Sequence, residues 1–182
     1  MDDDSFSSYD VALGFLNGDA HLDAMFANYH QRNRLCLGDG LGGFSCSYFS
    51  PDVYYTRDVA LGRIDADPHL DAVFANSFAP SRLCLGDGSG SFACRDFSPE
   101  VTRTGNVALG LIDEDLYLDA IFSNRDSPSQ VCLGDGTGGF TCRDTDSSNG
   151  DGGGVALGEV ATFVFFDGFE SGDTSAWSST IQ

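Results

Sequence analysis

The sequence predicts an all-β protein: tandem four-stranded antiparallel sheets of 48 residues, stacked as propeller-like blades, with three full units plus a partial fourth. Two observations lead to this fold class. The apolar segments are short, rich in Val, Leu, Ile and Phe, and separated by Gly, Asp, Asn, Ser or Pro, as strands and turns are. The second is the recurrence of VALG at residues 11–14, 59–62, 107–110 and 155–158. A fixed period of this kind indicates one supersecondary unit that buries its apolar surface against a stacked neighbour.

Alignment on this period divides the chain. We expect an N-terminal arm at 1–8, unit 1 at 9–56, unit 2 at 57–104, unit 3 at 105–152, and a partial repeat with a C-terminal tail at 153–182. Within unit 1 the strands are predicted near residues 10–14, 22–28, 33–37 and 44–49, with equivalents 48 and 96 residues further on. Each unit is therefore predicted to be one antiparallel meander.

The second strand of each unit is apolar on both faces. In the segment LDAVFAN at 70–76, Leu70, Ala72 and Phe74 alternate with Val73 and Ala75. A sheet with one wet face would alternate apolar and polar residues, so this sheet must be covered on both sides. Radial stacking of sheets gives a β-propeller and linear stacking gives a solenoid or fibre. A β-sandwich is disfavoured, because identical repeats provide no distinct inner and outer strands.

Charge limits the partners of this protein. The formal net charge is −19, from 28 acidic and 9 basic residues, which excludes a nucleic-acid binder by repulsion from the phosphate backbone. No apolar run reaches the roughly 20 residues needed for a membrane span. Cations are the natural partners, since bound metal would relieve the self-repulsion. The alternative is that the charge only keeps the surface soluble.

Six cysteines form three equally spaced pairs, which flank a GDG hairpin in each unit. Folding the arms of each hairpin sets the two cysteines of a pair opposite each other, where their Cβ atoms come close enough to bridge. The predicted disulfides are Cys36–Cys46, Cys84–Cys94 and Cys132–Cys142. Free buried thiols are the alternative. Disulfides indicate an oxidising compartment, so we expect an extracellular or bacterial cell-surface protein.

An acidic turn lies between the first and second strands of each unit. Oxygen donors at alternating positions of a tight loop, with another four residues on, can wrap a hard cation such as calcium. The predicted metal ligands are Asn17, Asp19 and Asp23 in loop 1 (residues 15–23), Asp65, Asp67 and Asp71 in loop 2 (63–71), and Asp113, Asp115 and Asp119 in loop 3 (111–119). The alternative is that these turns are only solvated.

These loops resemble the DxDGDGxxD calcium loop of FG-GAP and VCBS-type repeats, found in integrin α-chain propellers and bacterial surface proteins. The resemblance covers residues 9 to about 158 and includes the following strand and the GDGxGxF hairpin. The family's first ligand position holds Phe15, Arg63 and Leu111, and its loop glycine is replaced by Ala20, Pro68 and Leu116. We therefore expect weak or shared sites, completed by carbonyls, waters or a neighbouring unit.

Other polar residues have simpler interpretations. The GDG aspartates Asp39, Asp87 and Asp135 are interpreted as turn formers, because Asp and Gly tolerate positive φ. His21 and His69 are replaced by Tyr117 in unit 3, which favours loop side chains over catalytic bases. The chain shows no nucleophile elbow, zinc-protease or nucleotide motif. We expect a protein that is not an enzyme.

Three full units cannot close a ring of about four to eight blades, so both ends of the stack should expose a sheet face or an edge. The leading hypothesis is a secreted, calcium-ordered scaffold protein that self-associates head to tail into a homo-oligomer or filament, with the strand at 155–158 completed by a neighbour. One alternative is a fragment of a larger propeller, an adhesin or lectin that binds glycan or protein. A second alternative is an accessory domain of a secreted hydrolase.

Overall fold

Twelve β-strands follow one another along residues 7–97 and 102–145, the parts of the chain that the computed structural model describes. The strands are β1 (Ser8–Gly14), β2 (Asp23–Gln31), β3 (Arg34–Gly38), β4 (Phe44–Tyr48), β5 (Tyr54–Gly62), β6 (Asp71–Ser77), β7 (Arg82–Gly86), β8 (Phe92–Asp96), β9 (Arg103–Gly110), β10 (Asp119–Arg125), β11 (Gln130–Gly134) and β12 (Phe140–Asp144). The predicted all-β class and four strands per unit are confirmed. The predicted partial repeat at 153–182 lies outside the described residues.

Each unit is an antiparallel meander in which successive strands pair in order, as predicted. The three meanders are also linked into one open sheet through the ends of β2 and β6, the second strands of units 1 and 2. The links are short: Tyr29 pairs with Tyr55 between β2 and β5, and Ser77 pairs with Arg103 between β6 and β9. They exist because β5 and β9 begin several residues before the VALG segments. Each of these strands crosses the predicted boundary between two units and pairs, at its start, with the second strand of the preceding unit.

The hydrophobic core lies between successive units. In the first cluster, Met25 and Ala27 of unit 1 pack against Ala72 and Phe74 of unit 2. The second cluster combines the opposite face of unit 2, including Val73 and Ala75, with Val107, Ala120 and Phe122 of unit 3. All seven residues of β6 are buried, so the prediction that this strand is covered on both faces is confirmed.

Phenylalanine side chains join the units near the end of each fourth strand. Phe49 lies 5.2 Å from both Phe74 and Phe92 of unit 2, measured between ring centroids. Phe97 packs in the same way on Phe122 and Phe140 of unit 3. Aromatic pairs at such distances contribute about 0.5–1.5 kcal/mol each beyond the area they bury. The same contact is therefore made twice, once at each junction.

All three predicted disulfides are formed, and the paired cysteines face each other in the ladder of the third and fourth strands. No cysteine among the described residues is free.

None of the described residues forms a helix that is long and apolar enough to cross a membrane.

The first strand of each unit contains one extra residue relative to its partner strand. Ser8 pairs with Asn28 and Asp10 with Ala27, so Tyr9 has no partner. The pairing skips Arg57 and Gly105 in the same way in units 2 and 3. Such β-bulges re-aim a side chain and are found at the rims of barrels and beside binding sites. The bulge recurs at the same position in every unit.

Next to each bulge, an inner-strand carboxylate connects one unit to the next. The Val59 N–H donates to Asp10 Oδ2 at 3.1 Å, and the Val107 N–H donates to Asp58 Oδ2 at 2.9 Å. Burial and a hydrogen bond with Asp10 raise the pKa of Asp58 to about 6. In unit 3 the equivalent residue is Asn106, which has no charge to desolvate.

We predict that Asp58→Asn stabilises the protein at pH 7. A folded-state pKa above the unfolded value means that the folded state binds more protons, so this group's contribution to stability falls as pH rises from about 4 to about 6. The amide keeps the acceptor for Val107 and removes the charge, so the free energy of unfolding at pH 7 should rise by about 1–2 kcal/mol. Urea unfolding at several pH values measures this.

The reciprocal variant Asn106→Asp is the matched control, because it places a second carboxylate beside Asp58 in the same column of inner strands. It should lower stability at neutral pH and steepen the fall between pH 4 and 6. If the stability of wild type and of Asp58→Asn changed with pH in the same way, the raised pKa of Asp58 would be contradicted.

Candidate metal centre

The third predicted ligand of each loop is a buried aspartate that anchors the loop. In loop 2, Asp71 Oδ2 accepts hydrogen bonds from the N–H groups of Ile64 at 2.8 Å and Asp65 at 3.3 Å, and Asp71 Oδ1 accepts from Gly86 N–H at 2.9 Å. Asp23 and Asp119 make equivalent bonds, and all three side chains are inaccessible to solvent. Burial raises the pKa of Asp71, and the amide hydrogen bonds oppose that rise. This carboxylate ties the start of the loop to the end of the third strand.

The first two predicted ligands of each loop form successive Asx turns. Asp65 Oδ1 accepts from Asp67 N–H at 3.0 Å, and Asp67 Oδ1 accepts from His69 N–H at 2.8 Å. Each carboxylate thus spends one oxygen on the backbone and keeps the other. In loop 1, however, the Asn17 side-chain amide donates to Asp19 Oδ2 at 2.8 Å, which occupies the second oxygen as well. Loop 1 therefore offers less to a cation than loop 2 does.

Loop 3 brings its three predicted ligands together. The carboxylates of Asp113, Asp115 and Asp119 have oxygens within 4.8 Å of one another, and they are the only such acidic group within the described ranges. Leu116, at the family's glycine position, has φ of 63°, the left-handed backbone that glycine favours. Pro68 cannot adopt that backbone, because its ring fixes φ near −65°. Loop 3 is thus the loop that is left-handed at this position, and it is the one in which three carboxylates come together.

The spacing of the acids in loop 3 is compatible with one shared cation. Oxygens that share one calcium ion lie about 2.4 Å from it, so any two of them are at most about 4.8 Å apart. Asp113 and Asp115 are exposed and each keeps one free oxygen, while the oxygens of Asp119 already accept backbone hydrogen bonds. Calcium takes about six to eight oxygens, so waters or carbonyls would supply the rest.

The GDG aspartates organise hairpin turns, as predicted. Asp39 Oδ1 accepts from the N–H groups of Leu41 and Gly43, both at 2.8 Å, and these bonds lower the pKa of Asp39. Asp87 and Asp135 accept equivalent bonds, and Gly40, Gly88 and Gly136 have φ near 70°. The backbone therefore uses these carboxylates for turn formation.

The ring at the end of each acidic loop packs on the hairpin glycine. A Cβ built on Gly40 would lie 2.3 Å from Nδ1 of His21, so only glycine leaves room for the ring. His69 on Gly88 and Tyr117 on Gly136 repeat this contact. Packing explains why histidine and tyrosine are interchangeable here. The contact also fixes each acidic loop against the hairpin of its own unit.

The hairpin of the following unit also contacts loop 1. A Cβ built on Gly18 would lie 2.8 Å from the carbonyl oxygen of Gly88, and one built on Gly90 would lie 3.6 Å from Cβ of Asn17. A backbone carbonyl of unit 2 thus lies beside the acidic loop of unit 1. The hairpin of unit 2 therefore packs against the acidic loop of unit 1.

Sequence reasoning missed a cavity of about 230 Å³ whose lining includes Arg57, Arg103 and Arg125. The signal in the sequence was the difference between the units where the rest of the repeat is nearly constant. Equivalent positions 9, 57 and 105 hold Tyr, Arg and Gly, and positions 29, 77 and 125 hold Tyr, Ser and Arg.

Neither a scan against protein-family models nor a search of curated proteins finds a match to this chain. The resemblance to FG-GAP and VCBS-type repeats therefore stays a prediction.

Proposed function

We propose that this is a secreted, non-enzymatic, calcium-binding repeat protein that builds an extracellular scaffold by head-to-tail self-association. The observation that carries the proposal is the open face of unit 1. Val11 on this face is 46% exposed, whereas the equivalent residues Val59 and Val107 are 4% and 5% exposed, because units 1 and 2 cover them. Unit 1 thus presents the surface that the other two units bury.

The outer face of unit 1 consists of Val11, Leu13, Leu22 and Phe44, all exposed. Their equivalents Val59, Leu61, Leu70 and Phe92 belong to the core between units 1 and 2. Full burial of such a side chain stabilises by about 1.5–3 kcal/mol, so covering this face is strongly favourable. Exposed apolar patches of this kind mark interaction sites.

The surface that fits this face is the far side of a unit of the same kind. Ile64, Val73 and Leu83 form the far side of unit 2 and pack against unit 3. The equivalent residues of unit 3 are all half-buried: Ile112, Ile121 and Val131. We therefore assign unit 3 of a second copy as the occupant of the outer face. This contact is heterologous and does not close by itself, so repetition gives a filament. The VALG segment at 155–158, proposed as part of the joint, lies outside the described residues.

We predict that Leu13→Asp abolishes self-association. The leucine is 60% exposed in the described stack, so the substitution costs little folding stability, but a carboxylate in the joint would be buried without a partner. Val53→Asp is the matched control, because Val53 is 54% exposed and belongs to neither core cluster. Sedimentation velocity should show large species for wild type and Val53→Asp, and monomer for Leu13→Asp. Equal behaviour of the two variants would refute the assignment of this face.

Extracellular location is proposed from the disulfides. Three cross-links in one short chain are typical of secreted proteins, since the cytosol keeps thiols reduced. Calcium at the acidic loops agrees with that location, because weak sites with few side-chain ligands require the millimolar calcium found outside cells.

Calcium should raise the melting temperature of the protein. A ligand that binds only the folded state stabilises by about 2.7 kcal/mol at 100 times its Kd, which corresponds to a rise of several degrees. Asp115→Asn should reduce this rise in melting temperature, because Asp115 is one of the three clustered acids of loop 3. Glu114→Gln removes the same charge from the neighbouring exposed residue and should leave it unchanged. If wild type melts at the same temperature in calcium and in chelator, the calcium proposal fails.

A further inference from the structure

A second site lies where the bulges of the three units meet. The bulge residues Tyr9, Arg57 and Gly105 all line the cavity of about 230 Å³, together with Arg103 and Arg125. Three of the nine basic residues of a chain with net charge −19 thus converge on one cavity. We name this the arginine cavity.

The units differ at this site while their core positions are nearly constant. The bulge position holds a large ring in unit 1, a guanidinium in unit 2 and no side chain in unit 3. Gly105 therefore leaves space where the other units place a side chain. The cavity depends on having these three different residues in this order, so it is a property of the whole stack and not of one repeat.

Arg57 is held in place without being neutralised. The Arg57 guanidinium lies 5.5 Å from the ring centre of Tyr9 and 5.2 Å from that of Tyr29, and its Nε donates to Ser77 Oγ at 3.0 Å. Stacking on aromatic faces orients a guanidinium while its remaining N–H groups stay available. This arginine forms no ion pair within the described part of the chain.

Arg125 and Arg103 complete the positive lining. Arg125 is exposed and pairs with no carboxylate among residues 7–97 and 102–145. The Arg103 guanidinium lies 5.1 Å from the ring centre of Phe78. It also forms an ion pair with Asp126 at 2.6 Å, and such an exposed pair contributes little to stability. Two of the three guanidinium groups thus lack a counter-charge, although acidic residues outnumber basic ones threefold.

We infer that the arginine cavity binds the oxyanion group of a small ligand, a carboxylate, sulfate or phosphate. Arginine recognises such groups through paired N–H donors, and Asn106 beside the bulge adds a polar side chain to the lining. A volume of about 230 Å³ is large enough for one charged group with one ring. Physiological salt screens charges beyond about 8 Å, so the distant carboxylates of this acidic protein oppose an anion in the cavity only weakly.

Titration of the full-length protein with three probes tests this inference. Sodium glucuronate and sodium sulfate should shift the amide NMR signals of Gly105 and Asn106 with millimolar Kd at constant ionic strength, whereas neutral glucose should not. Tighter binding of glucuronate would assign an acidic sugar, and tighter binding of sulfate would assign a sulfate or phosphate group. Leu13→Asp is expected to bind the anions as wild type does, so failure of self-association and failure of this site are separable.

Arg125→Gln should weaken anion binding at least tenfold, because it removes a guanidinium group from the lining of the cavity. It should leave the fold intact, since this exposed side chain forms no ion pair among the described residues. Arg63→Gln is the control, since it removes the same charge from an exposed position in loop 2. The absence of shifts with both anions up to about 50 mM, well above a millimolar Kd, overturns the inference. Equal weakening by the two variants also overturns it.

Discussion

Asp71→Ala is expected to destabilise the protein by about 3 kcal/mol or more. The substitution leaves the N–H groups of Ile64, Asp65 and Gly86 without their acceptor, and each buried unsatisfied donor costs about 1–3 kcal/mol. These bonds hold the acidic loop to the end of β7, so the loop and the hairpin should loosen together. Urea unfolding followed by fluorescence measures the loss.

Asp67→Ala is the matched control for this prediction. It removes the same charge from the same loop, but Asp67 only accepts the His69 N–H of an Asx turn and is partly exposed. The expected cost is below about 1 kcal/mol. If both variants lost the same stability, Asp71 would act as one more acid of the turn and not as the buried anchor of the unit.

Removal of the central disulfide by Cys84→Ala with Cys94→Ala should cost about 3–4 kcal/mol. A closed loop of this size stabilises by about 2–3 kcal/mol, chiefly through the unfolded state. The central pair also belongs to the core between units 1 and 2, where Cys84 is 1% exposed, so its loss removes packing as well.

The equivalent pair in unit 1 separates these two contributions. Cys46 is exposed, because it lies on the outer face that no described unit covers. Cys36 is buried as Cys84 is, so the two pairs differ in the exposed Cys46 against the half-buried Cys94. Cys36→Ala with Cys46→Ala should therefore lose loop closure and local packing but no contact between units, about 1 kcal/mol less than the central pair. Equal losses would show that the contact between units adds nothing to the disulfide.

Most of the fold could be predicted from local patterns that repeat. Strands such as Asp71–Ser77 are apolar on both faces and bounded by turn residues, and the period fixes which cysteines face each other. The early start of β5 was not predicted, since Tyr54 and Tyr55 precede the VALG segment and pair with a strand of another unit. Such a pairing depends on how the units are placed, which no single repeat encodes.

The acidic loops show where side-chain patterns stop being informative. The spacing of the acids in loop 3 predicts a group of oxygens, and the structure brings Asp113, Asp115 and Asp119 together. The same spacing did not reveal that Asp71 accepts three backbone hydrogen bonds, because their donors lie on two segments 22 residues apart, at Ile64 and Gly86. The arginine cavity was hidden for the same reason, since it combines non-equivalent positions of three units.

The mass of the purified full-length protein in solution tests the central claim most directly. Sedimentation equilibrium at increasing protein concentration, in millimolar calcium, should give a mass that rises well above the 19.3 kDa of one chain and falls when calcium is chelated. Calcium bound as proposed would order the acidic loops, so chelation should shorten the assemblies. A constant mass of 19.3 kDa at every concentration, with and without calcium, would contradict head-to-tail self-association.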